Sequence, residues 1–182
     1  MLIQYGLNDR YKIGKKEYEI NASFDNVLRI MDLTNDQTVP DFFKIDIAFE
    51  MLTGEVPEID YEDKAKILID ILENYVKAEK QEIRDIAGNI IELPETEEPE
   101  KVFDFTEDAD LIYSAFMQTY GIDLIEEQGK LHWAKFKALL DGLPSNTRLI
   151  EIIGIRSWNE DDERKDYKQM KRELKQKYSL KG

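Results

Sequence analysis

LHWAKFKALLDGLPSNTRLIEIIGIRSW, residues 131–158, holds the chain's single His, both of its Trp residues and a Gly-Leu-Pro turn between two apolar runs. Trp133, Phe136, Leu139 and Leu140 recur at three- and four-residue steps, the spacing of one helix face. Gly142 suits a helix end, and Pro144-Ser145 suits the start of another helix, whose apolar face continues through Leu149, Ile152 and Ile153. The stretch therefore reads as two helices joined by a tight turn, with the large side chains as core residues first. The functional alternative is that Trp133, Phe136 and Leu140 form part of a groove for a partner. His132 has no Ser in a strained elbow and no second His at helical spacing, and Gly129 separates it from Glu126 and Glu127. It is expected to be a partly exposed residue on a packing helix.

The same periodicity extends upstream. YKIGKKEYEI, residues 11–20, alternates apolar and polar residues about Gly14, as a short β-hairpin does. Phe24, Val27, Leu28 and Met31 then mark a helix behind a cap at residues 21–23. A second helix runs from Pro40-Asp41 to Gly54, where the chain is apolar on more than one stripe, which predicts a central position. Asp60 caps a third helix carrying Tyr61, Ala65, Leu68, Ile71, Leu72 and Tyr75, expected to end near Lys80. Asp104 and Glu107 match a capping box, and Ile112, Tyr113, Phe116 and Tyr120 line one face of a fourth helix ending at Gly121. Last, Tyr167, Met170, Leu174 and Tyr178 form a narrow apolar stripe on a charged run. Such a stripe either docks on its own domain or meets another chain.

These segments predict a mainly α fold: a helical domain of about six or seven helices with a short N-terminal β-hairpin. Residues 1–80 make the hairpin and first helices, and 81–104 an acidic linker or mobile excursion. Residues 105–158 are a helical hairpin region packing on the N-terminal part, and 159–182 a charged C-terminal helix.

Composition limits the function. The 182 residues contain no Cys, which removes disulfides, thiolate metal sites and thiol nucleophiles. A formal charge of −14 disfavours binding to nucleic acid or anionic membranes. Residues 92–110 hold nine carboxylates against one Lys, whereas residues 161–182 hold eight bases against five acids. No run approaches the roughly 20 apolar residues of a membrane span, and the N-terminus lacks the pattern of a signal peptide. A soluble cytoplasmic protein is expected. Pro40-Asp41 with Glu62-Asp63-Lys64 imitates a metal-dependent nuclease, but carboxylates at helix starts do not converge as strand ends do, and no phosphate loop appears. No catalytic residue, cofactor or metal is expected.

A resemblance adds to this reading. The run from Asp110 to Trp158, above all Tyr120-Gly121-Ile122-Asp123-Leu124, His132-Trp133, Phe136 and Gly142-Leu143-Pro144, resembles the bacteriophage gene-product-fifteen family. These proteins are encoded in the tail modules of siphophages and prophages of Gram-positive bacteria. YKIGKKEYEIN, FDNVLRIMDL and FDFTEDADLIY extend the likeness over most of the chain. It implies a non-enzymatic protein of viral morphogenesis, a tail assembly chaperone that binds the tape-measure protein, and with it the tail tube protein, in the host cytoplasm. It also implies self-association. The alternative is a structural component of the tail or tail joint, acting by self-assembly. In the chaperone reading the contacts come from Tyr167, Met170, Leu174 and Tyr178, and from Trp133, Phe136 and Leu140.

Overall fold

A computed structural model describes residues 7, 9–75, 102–158 and 165–181, the side chains of 165–167 excepted. Among them lie a two-stranded sheet and seven helices: β1 (Arg10–Ile13), β2 (Lys16–Glu19), α1 (Phe24–Asn35), α2 (Asp41–Thr53), α3 (Tyr61–Tyr75), α4 (Ala109–Tyr120), α5 (Trp133–Asp141), α6 (Arg148–Arg156) and α7 (Lys165–Tyr178). The chain is mainly helical with a short N-terminal hairpin, as the periodicity predicts. The acidic linker expected at 81–104 falls, up to residue 101, outside the described residues. So does the last turn expected for α3.

The chain divides into two compact units, Met1–Glu79 with Ile125–Asp141, and Lys80–Leu124 with Gly142–Gly182. The stretch read as one helical pair contributes to both: α5 packs on α1 in the first unit, and α6 on α4 and α7 in the second. Each helix thus buries its apolar face against a partner within its own unit.

In the first unit, β1 and β2 pair antiparallel from Arg10↔Glu19 to Ile13↔Lys16. Gly14 turns the chain with φ of 60°, at the position a type II′ turn reserves for Gly. The hairpin lays Ile13 and Tyr18 into a core with Ile20, Ile30, Phe49, Leu52, Leu68 and Ile71. Tyr11 bonds through its hydroxyl to Asp70 on α3, and the Tyr75 hydroxyl donates to the Arg10 carbonyl at 2.9 Å. These bonds fasten the hairpin to α3. Residues 22–24 run alongside 131–133: Trp133 N–H donates to the Ala22 carbonyl at 2.7 Å and Phe24 N–H to the Leu131 carbonyl at 2.9 Å. The rings of Phe24 and Phe136 then stack at 4.9 Å, and those of Trp133 and Phe136 at 5.5 Å. Asn26, buried on α1, gives its side-chain N–H groups to the Asn21 and Met51 carbonyls, both at 2.8 Å. It thereby satisfies a carbonyl in the last turn of α2, which has no helical donor.

Helix α2 is central in its contacts, as its apolar stripes predict, but it is not enclosed on every side. Its buried residues are Ala48, Phe49 and Leu52 alone, one face of the helix, and Phe42 and Phe43 are each 52% exposed. The contacts of α2 are with α1, α3 and β2, which leave its first turns uncovered.

In the second unit Ile112, Ala115 and Phe116 of α4 are buried, as are Leu149 and Ile152 of α6. Two local predictions shift. Helix α6 begins at Arg148 rather than at Pro144, because residues 144–147 close a turn in which the Thr147 N–H and hydroxyl both donate to the Pro144 carbonyl, at 3.1 and 2.9 Å. Asp104 does cap a turn, accepting from the N–H groups of Thr106 and Glu107 at 2.8 Å. The residue that reaches back to the Asp104 N–H is Asp108, at 3.0 Å, whereas the Glu107 carboxylate accepts from the Lys181 N–H. The box is one residue longer than its usual spacing, and α4 starts behind it.

Candidate interaction surfaces

His132 stands at the head of α5. Its Nδ1 accepts the Ala134 N–H at 2.9 Å, the bond an N-cap residue makes to the second residue of its helix, and its Nε2 lies 2.9 Å from the Asp9 carboxylate. An Nδ1 that accepts leaves the hydrogen on Nε2, where it donates to Asp9. Both ring nitrogens are therefore engaged in holding structure. The neighbouring Ser23 hydroxyl is buried with no hydrogen-bond partner among the described residues, but no ring nitrogen of His132 is left to take its proton. These residues line a cleft of about 530 Å³ that also includes Glu19, Glu50 and Lys130. Sequence reading missed Asp9 as the partner of His132, since 123 residues separate them.

The carboxylates that imitate a nuclease do not come together. Asp41 heads α2, Glu62 and Asp63 lie in the first turn of α3, and the Lys64 amine is held by Asp46 at 2.7 Å. No group of three or more His, Cys, Asp or Glu side chains among the described residues is placed to hold a metal ion.

Of the residues expected to meet a partner, Trp133 and Phe136 are 2% and 1% exposed, and both are committed to the core of the first unit. Leu140 is partly exposed at the end of α5. The stripe of α7 lies along α6. The Arg148 guanidinium donates to the Tyr178 hydroxyl at 2.6 Å, and Arg156 Nε to the Tyr178 carbonyl at 2.6 Å. Leu174 is half-buried, while Met170 is exposed. Between α6 and α7 runs a groove of about 240 Å³ lined by Gly154, Ile155, Trp158, Met170 and Leu174 among others. Of Tyr167, only the backbone belongs to the described residues.

A second surface was not singled out from sequence. On α2, Phe43 and Ile47 lie one turn apart, and the Phe42 ring sits 4.1 Å from that of Phe43. Together with the 37% exposure of Ile47, this makes a solvent-facing apolar step at the start of the helix. The signal is present in the sequence as apolar residues on more than one stripe, which predicts a central position without marking which residues stay in solvent.

Comparison with protein families decides what kind of chain carries these surfaces. The model of the Bacteriophage Gp15 protein family matches residues 7–180. The chain belongs to that family. Membership supports a phage-related structural or morphogenesis role. No curated protein and no solved structure matches the chain. As a Gp15 family protein it also has no helix, among the described residues, long and apolar enough to cross a membrane.

Proposed function

We propose that this Gp15 family protein is a non-enzymatic tail assembly chaperone that binds the tape-measure protein, keeping it soluble in the host cytoplasm until tube protein replaces it. The observation that carries the reading is the pairing of a strongly acidic helical chain with apolar helix faces left in solvent, Phe42, Phe43 and Ile47 on α2 and Met170 on α7. Apolar side chains held clear of the core on a charged body suit the temporary cover of another helical protein. A tape-measure protein is long and helical, and exposes apolar stripes until the tube encloses it. The cover must release, which favours small apolar patches over an extensive interface of the kind permanent complexes bury.

The test is where the protein goes. In cells producing the phage, an antibody to this chain should recover the tape-measure protein from lysates in which tail completion is blocked, and quantitative mass spectrometry should find the chain missing from finished particles. Retention in the particles at the copy number of a tail component would instead make it a structural part of the virion.

A further inference from the structure

We infer that the solvent-facing first turns of α2 seat an amphipathic helix whose flank is basic. The seat is the step formed by Phe42, Phe43 and Ile47, and it rests on the chaperone reading only for the biological identity of its occupant. Three features define the occupant. The step is apolar and about one helical turn long, so it takes side chains at i and i+4 of a helix rather than a flat sheet face. It is acidic at its margins: α2 and α3 together carry seven carboxylates against three lysines, and Asp46 and Glu50 lie three residues on from Phe43 and Ile47 respectively, on the same side of the helix. Two of the three lysines are already engaged: Lys44 donates to the Thr34 carbonyl at 3.0 Å with its amine 3.6 Å from Asp41 and 15% of its side chain exposed, and Lys64 is held by Asp46 with 16% exposed. With every lysine set against a carboxylate, four acidic charges of the seven stay in excess, and Glu50 is an exposed one on α2 itself.

The face therefore presents apolar rings inside a negative border. A second copy of the same face would bring carboxylate against carboxylate, whereas Lys or Arg beside an apolar stripe meets both features at once.

Two synthetic helices of about 18 residues separate these possibilities, one with a Leu stripe flanked by Lys and one with the same stripe flanked by Glu. The intact protein should bind the Lys helix, more weakly as salt rises, and should not bind the Glu helix. Phe42→Ser/Phe43→Ser should weaken the Lys helix by about tenfold or more with an unchanged thermal midpoint, and Glu50→Lys should weaken it while leaving the rings in place. Equal binding by Phe42→Ser/Phe43→Ser, binding of the Glu helix, or self-association of the wild type that this variant abolishes would each overturn the inference. Co-expression with the tape-measure protein distinguishes its failure from that of the chaperone reading. If the double variant keeps the tape-measure protein soluble as well as the wild type does, the seat is wrong and the chaperone stands. If the wild type binds the Lys helix through this face yet leaves the tape-measure protein insoluble, the seat stands and the chaperone does not.

Discussion

Arg156 and Asp108 show at the scale of one residue pair what periodicity conveys and what it leaves out. Both are buried, and the guanidinium grips the carboxylate through two bonds, at 2.7 and 3.0 Å. Arg156 also donates to the carbonyls of Tyr178 and Val102, and Asp108 accepts from Asp104, so the pair links α4, α6 and the end of α7 within the second unit. A signal existed in the sequence. Arg156 continues the apolar stripe of Leu149 and Ile152, and Asp108 precedes that of Ile112, Ala115 and Phe116, so two opposite charges stand where apolar residues belong. That each answers the other across 48 residues is not written in either stripe. Removing one partner strands a buried charge. Arg156→Met should cost roughly 3–5 kcal/mol in urea unfolding, and the double variant Arg156→Met/Asp108→Leu should lose clearly less than the two single losses added together. Additive losses would mean the two side chains act independently.

At the scale of elements, the strands and helices were legible because each has a regular apolar period and clear punctuation, such as Gly14 in the hairpin turn and Gly121 after α4. The surroundings of an element were less so. Helix α2 is apolar nearly all round, and sequence cannot tell a helix enclosed on every side from one that keeps an apolar face for a partner. Likewise the regular spacing from Trp133 to Ile153 fixes two helices but not their neighbours: α5 packs on the distant α1, and α6 on α4 and on α7, which follows it. The contact of the hairpin with α3 has a measurable titration. The Tyr11 hydroxyl donates to Asp70, and that bond, followed by burial and the Asp70 charge, pushes its pKa up from 10.0 to about 12. A pKa raised in the folded state adds stability that is complete below the unfolded value of 10.0 and is lost as pH rises to about 12. Burial also raises Tyr18 and Tyr75, so tyrosinate absorbance should show several late-titrating tyrosines in the native protein, and Tyr11→Phe should remove the one near 12. The stability difference between the two proteins should shrink across that same alkaline window. A wild type whose tyrosines all titrate near the ordinary value would refute the bond.

The whole molecule was legible in class but not in its surfaces. The helical content, the N-terminal hairpin and the family follow from runs such as YKIGKKEYEIN and from Gly142-Leu143-Pro144 in its context, whereas the exposed step on α2 emerges only once neighbours are placed around it. Trp133 and Phe136, the most conspicuous side chains in the sequence, serve the core, and the less conspicuous Phe42 and Phe43 face solvent. The sum of these observations is an acidic, helical phage protein with modest apolar faces in solvent. The proposal built on them is that these faces meet the tape-measure protein. The most direct measurement is co-expression of the two, followed by size-exclusion chromatography with light scattering. A soluble complex containing both proteins is expected where the tape-measure protein alone aggregates. A monodisperse oligomer of this chain alone, with the tape-measure protein left in the pellet, would contradict it.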